Sequence, residues 1–134
     1  MQYDAIIVGA GLAGSATAAH LAARGHSVLL LEKKQYPAHK LCGEFLSVEV
    51  QALFRRLGVL DAVLAAGANG IDRARITAPG GGACLHRLPG TALGLSRFKL
   101  DDLLCRHALA LGAEVHVREP ALSIRGDLES GLTV

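Results

Sequence analysis

Residues 5–14 read AIIVGAGLAG, an apolar run that breaks into three glycines at positions 9, 11 and 14. The run from Tyr3 to Val8 has the length and composition of a strand buried on both faces, and Gly9 ends it. Leu12 to Arg24 is rich in alanine and free of proline, which predicts a helix, with Gly25 placed to cap its C-terminus. Val28 to Leu31 is a second buried strand that closes on Glu32. Strand, helix and strand within about thirty residues make a right-handed parallel crossover.

The three glycines satisfy G-x-G-x-x-G, a weak pattern in isolation. Here it follows a strand, opens a helix, and has an acid at the end of the next strand about 20 residues on, the combination that marks an adenine-dinucleotide site. Gly9 permits the tight turn, Gly11 lets the backbone approach a pyrophosphate, and Gly14 lets the helix pack on the sheet. The N-terminal N–H groups around Leu12 and Ala13 and the positive end of the helix dipole then suit phosphate. Glu32 can accept both ribose hydroxyls, and its charge disfavours a 2′-phosphate. Lys33 and Lys34 either touch the adenosine or phosphates or form a solvated strand end. The fingerprint alone fits FAD and NAD equally.

Outward from this unit, Lys33 to Phe45 is polar and irregular, a loop. Ser47 is placed to cap a helix running to Leu57, with Val50, Leu53, Phe54 and Leu57 on one face and Gly58 at its end. A short helical piece follows at Asp61 to Ala66. Asp72–Ala78 and Ala83–Leu88 flank Pro79-Gly80-Gly81-Gly82 as a hairpin. Ser96 is placed to cap a helix to Leu111, where Asp101 and Asp102 suit the dipole of the first turn. Glu114 to Val117 is a third sheet strand, and Leu122–Ile124 with Leu132–Val134 form a last antiparallel piece.

The 134 residues are 51% hydrophobic and 19% charged, which excludes a disordered chain and suits a buried parallel sheet. A net charge of +2, dispersed along the chain, gives no support to a nucleic-acid partner. Three dispersed cysteines without a C-x-x-C pair argue against a disulfide framework and for a cytoplasmic, reducing compartment. The histidines lack metal-ligand spacing, so no metal is expected. Ala5 to Ala23 approaches the length of a membrane span, but its glycines favour strand, turn and helix, and no transmembrane segment is expected.

Two further segments choose between the dinucleotides. Residues 36–48, YPAHKLCGEFLSV, resemble the P-x-x-K-x-C-G segment of geranylgeranyl-reductase-like FAD-dependent oxidoreductases, relatives of the para-hydroxybenzoate hydroxylase group. SRFKLDDLL at 96–104 is similar to the R-x-x-L-D-x-x-L helix start of the same superfamily. The resemblance implies FAD as cofactor, with NAD(P)H as a reductant and an apolar or aromatic small-molecule substrate. It implies that Arg97 reaches the ribityl–pyrophosphate region, and that Lys40, Cys42 and Gly43 lie in a loop near the flavin. Cys42 is either a pocket thiol or a small buried residue. Glu44 departs from the commoner second glycine and places the chain nearer a C-G-E-x-L-S subgroup.

The resulting expectation is an α/β, Rossmann-like FAD/NAD(P)-binding βαβ domain over residues 1–134. It has a parallel sheet, an antiparallel β hairpin insertion at about 71–88, and an incomplete C-terminal side. The functional expectation is the FAD-binding portion of a flavin-dependent monooxygenase or reductase. The alternative is a non-catalytic dinucleotide-binding module or NAD-binding fragment.

Overall fold

The computed structural model describes residues 2–42, 44–127 and 129–134. In chain order the first elements are β1 (Ala5–Val8), α1 (Leu12–Ala22), β2 (Val28–Glu32), β3 (Phe45–Leu46), α2 (Val50–Leu57) and α3 (Leu60–Ala65). They are followed by β4 (Asn69–Thr77), β5 (Ala83–Gly94), α4 (Arg97–Ala110), β6 (Glu114–Val117), β7 (Arg125–Asp127) and β8 (Gly131–Thr133). The described residues divide into two compact units, one ending at Lys40 and resuming at Phe98, the other running from Leu41 to Arg97.

The first unit is built on a parallel sheet ordered β1-β2-β6. Val8 pairs with Leu31 and Glu32 with Val117, so β2 is the central strand and Glu32 stands at its C-terminal end. Leu30 is fully buried, and Val28 and Leu31 nearly so, as an all-apolar central strand requires. Helix α1 lies close to the strands because the residues it buries are Ser15, Ala18, Ala19 and Ala22, all small. Gly14 is the tightest point: a Cβ there would stand 1.9 Å from the Gly9 carbonyl oxygen and 3.3 Å from the Ile7 side chain. The expected apolar stretch is thus split into strand, turn and helix, and among the described residues no helix is long and apolar enough to cross a membrane.

The expected strand at Leu122–Ile124 is instead β7, three residues later, pairing Arg125 with Thr133 and Asp127 with Gly131. The turn chemistry sets that register. Asp127 Oδ1 accepts the N–H groups of Glu129 and Ser130 at 2.9 and 2.7 Å, an Asx-type turn that starts the hairpin at Asp127.

The second unit carries an antiparallel sheet ordered β3-β5-β4. The hairpin is longer than the sequence suggests, because β5 continues past Leu88 through Pro89 to Gly94 and pairs there with both β4 and β3. A bulge between Ile71 and Arg73 absorbs the change in register. Helix α2 begins at Val50 rather than beside Ser47, whose carbonyl accepts the Val50 N–H, and it ends at Gly58 in the left-handed region at φ +76°.

On the far edge of the parallel sheet, β6 carries a half-buried polar chain. Tyr3 Oη donates to Glu114 at 2.7 Å, and His116 lies 2.7 Å from Glu114 and 2.9 Å from Glu119. The bond to Glu114 does most to raise the His116 pKa; burial opposes it, and the bond to Glu119 adds to the rise.

Two consequences are measurable. Gly14→Ala must displace backbone rather than a flexible side chain, so it should cost about 1–3 kcal/mol or more, seen as a lower midpoint of unfolding. Because the folded His116 pKa is raised, its pairs add stability that is complete below the ordinary histidine pKa and lost as pH rises through the folded value. The unfolding midpoints of the natural chain and His116→Gln should therefore converge above neutral pH and separate modestly near pH 5.5.

Candidate functional site

The turn after β1 sits over the end of β2. Gly9 adopts φ +100°, a conformation that favours glycine, and donates its N–H to the Leu31 carbonyl at 2.7 Å. Ala10 is buried, and both its backbone groups are taken by side chains. Its N–H is donated to Glu32 Oε2 at 3.0 Å. Its carbonyl accepts Ser15 Oγ at 3.0 Å and Tyr36 Oη at 2.5 Å. Gly11 is the N-cap of α1 at φ −72°, ψ −171°, an extended geometry open to any residue, so its backbone does not demand glycine.

Helix α1 begins without a side-chain cap or an acidic residue in its first turn, and its first backbone bond runs from Ser15 N–H to Gly11 O. The N–H groups at the start of such a helix have no intrahelical acceptor. They and the positive dipole end present an electropositive surface beside the turn.

Glu32 is 5% exposed and held from both sides. Oε1 accepts the Lys34 N–H at 2.9 Å, while Oε2 accepts Ala10 N–H and, at 3.2 Å, Tyr36 Oη. A carboxylate has about four acceptor positions, so Oε1 keeps one for a hydroxyl donor. Glu32 lines an open pocket of about 480 Å³, together with Val8, Gly9, Leu31, Lys40 and Pro120. That volume falls within the range of small-molecule sites, about 300–1,000 Å³. Lys33 and Lys34 stand on its wall.

Lys40 is turned toward this acid. Its Nζ donates to Tyr36 Oη at 2.6 Å, pairs with Asp101 Oδ2 at 3.0 Å, and lies 3.9 Å from Glu32 Oε2. Burial opposes the Lys40 charge, but the bonds to Tyr36 and Asp101 outweigh it and raise its pKa. Burial pushes the Tyr36 hydroxyl up to about 12, so it remains protonated and can donate.

The structure therefore brings Gly9, Gly11, Leu12, Ala13, Gly14, Glu32, Lys33 and Lys40 into one unit. Cys42 and Arg97 belong to the other unit, where Cys42 is exposed and accepts the Glu44 N–H at 3.4 Å, and Arg97 opens α4. Gly43 lies outside the described residues. Cys105 is buried, and burial followed by the nearby Asp102 raises its thiol to about 11, which makes it inert. Among the described residues no group of three His, Cys, Asp or Glu is arranged to hold a metal ion.

Two residues of the site are not identified by the sequence reading. Tyr36 carries no chemical motif of its own. Asp101 is fully buried rather than a first-turn dipole residue, and the signal was available: it shares a helical face with Leu104, Cys105 and Ala108, all buried.

Comparison with known proteins bears on what such a site holds. The model of a family described as FAD binding domain matches residues 2–131. The chain is 34% identical to an uncharacterized protein of the nifH2 5′ region of Methanosarcina barkeri, over 93% of this chain and 70% of that protein. It is 30% identical to the rifampicin monooxygenase of Rhodococcus hoagii, covering 95% of this chain and 27% of the enzyme. Among solved structures, a geranylgeranyl bacteriochlorophyll reductase-like protein of Thermoplasma acidophilum superposes with a TM-score of 0.77 at 28% identity, over 94% of this chain and 32% of that one. The chain thus spans between a quarter and a third of the length of the enzyme and of the solved protein it matches.

Loss of the Tyr36 hydroxyl tests this arrangement directly. Tyr36→Phe takes one donor from Ala10 O and one acceptor from Lys40, and should cost about 1–2 kcal/mol in chemical denaturation.

Proposed function

The chain belongs to the FAD binding domain family, and from this we propose that its first unit holds the ADP moiety of FAD as part of a flavin-dependent monooxygenase or reductase. The observation that carries the assignment is the buried Glu32 carboxylate, fixed by two backbone N–H groups at the wall of the pocket and beside the uncapped start of α1.

In this reading the adenosine occupies the pocket, with a ribose hydroxyl donating to the remaining position on Glu32 Oε1. Lys33 and Lys34 border it. The pyrophosphate takes the N–H groups of Gly11, Leu12 and Ala13, at a helix start whose first turn carries no acidic residue. Gly11 serves by lacking a Cβ where the phosphates approach, since its backbone angles are ordinary. Gly9 and Gly14 act through the turn itself. Arg97, Cys42 and Gly43 are assigned to the cofactor by the resemblance of their segments, and a guanidinium suits a diphosphate by charge and geometry.

Bound flavin supplies hydride transfer and oxygen chemistry. The residues of this chain bind and orient its adenosine half. NAD(P)H as reductant and an apolar or aromatic small molecule as substrate follow from the resemblance, and two exposed free thiols, Cys42 and Cys84, suit a reducing cytoplasm.

The purified protein should be yellow with flavin absorbance. A hydrogen bond to a charged group contributes about 1.5–3 kcal/mol, so Glu32→Ala should weaken FAD binding roughly tenfold or more in a fluorescence titration. Gly11→Ala should weaken it without a comparable fall in unfolding midpoint. Full FAD occupancy in both variants would sink the assignment, and colourless protein retaining ADP or NAD would point to a non-catalytic dinucleotide module.

A further inference from the structure

We propose that Lys40, held by Asp101, is a positioning residue that decides which oxygen of Glu32 is offered to the ribose and so sets the preference of the pocket for a nucleotide bearing a 2′-hydroxyl. The proposal rests on the reading of Glu32 as the ribose acceptor. It concerns two residues for which the adenine-dinucleotide pattern provides no role.

An ammonium only donates, so at 2.6 Å the Tyr36 oxygen must accept from Lys40. The single Tyr36 proton is thereby directed away from Lys40, toward Ala10 O at 2.5 Å and Glu32 Oε2 at 3.2 Å. Oε2 then faces the Ala10 N–H, the Tyr36 hydroxyl and, at 3.9 Å, the Lys40 charge. Oε1 has only the Lys34 N–H among these contacts. Lys40 thus places its charge and the Tyr36 hydroxyl on the Oε2 side, which Ala10 N–H already engages, and leaves Oε1 the less engaged oxygen for a ligand.

Glu32 is 5% exposed and Asp101 fully buried, and Lys40 stands between them with a side chain 23% exposed. Two buried carboxylates on one wall are costly without a shared cation. Asp101 supplies the shorter contact, 3.0 Å, and so fixes where the ammonium sits. With that contact removed, Lys40 keeps the Tyr36 hydroxyl and ring and the more distant Glu32 but loses its shortest ionic partner, and its flexible chain is freer to turn to solvent. All four side chains lie in the first unit.

The test is a pair of affinities on the full chain, for ADP and for 2′-deoxy-ADP, by titration calorimetry, with the unfolding midpoint measured beside them. The natural chain should prefer ADP roughly tenfold, the worth of one hydrogen bond to a charged acceptor. Lys40→Met should bring that ratio to within about threefold of one, chiefly by loss of ADP affinity. Asp101→Asn should move it in the same direction, and Lys40→Arg should restore it. An equal loss of affinity for both nucleotides in Lys40→Met, with the ratio kept, would show a merely structural role and overturn the proposal. If Lys40→Met does not fold, Asp101→Asn decides, and a natural ratio in that variant overturns it. Failure of the unaltered chain to bind ADP at all would overturn the reading of Glu32 as well, which separates the two failures.

Discussion

The hydrogen bond from Ala10 N–H to the buried carboxylate of Glu32 is the constraint on which the rest of the site depends. It joins the turn after the first strand to the end of the second, across a parallel pair that places Val8 beside Leu31. A buried backbone group must find a partner, and here every partner of Ala10 is a side chain: Glu32 for the N–H, Ser15 and Tyr36 for the carbonyl. The turn is therefore held without drawing on the N–H groups that open α1. Those groups stay available because the residue before them is satisfied from elsewhere.

The glycines divide between folding and ligand approach. Gly9 is required by its positive φ, and Gly14 by the 1.9 Å contact any Cβ would make with Gly9 O. These two answer to the fold and would be needed with no ligand present. Gly11 is not required by its backbone angles, since an extended φ of −72° admits every residue. The pattern G-x-G-x-x-G thus contains two statements about a tight strand-to-helix turn and one about what comes near it. That division explains why the pattern alone specifies so little, and why Glu32 at the end of the neighbouring strand adds so much.

Local periodicity made the crossover legible from the residues alone: β1, α1 and β2 fall within two or three residues of their expected bounds, and Glu32 stands where the spacing put it. FAD was read from two segments of resemblance, and the family match over residues 2–131 agrees. What stayed hidden depended on partners remote in sequence. Tyr36 gains its meaning from Ala10, and Asp101 from Lys40, contacts that no local pattern encodes. Asp101 was misread because a first-turn aspartate has a sufficient local explanation, and the stronger signal, its place on the buried face of α4, competes with that explanation. Hairpin registers were likewise set by single features, the Asp127 turn and the bulge near Ile71, rather than by strand propensity.

The position of the Lys40–Asp101 pair in the chain has a consequence for the fold. The chain leaves β2 at Glu32, reaches Lys40, passes through the whole second unit, and returns on α4 to β6. Lys40 is the last residue of the first unit before that excursion, and Asp101 lies one helical turn after its end. Their contact joins the two ends of the excursion and offsets part of the chain entropy lost in closing a long loop. On the strand side, Glu119 N–H to Glu32 O, at 3.0 Å, makes a second closure. Both closures converge on Glu32, one at its side chain and one at its carbonyl. The acid that faces the pocket is therefore also the junction where the two separated parts of the first unit are joined, so the geometry of the pocket and the integrity of the split unit are set by the same few bonds.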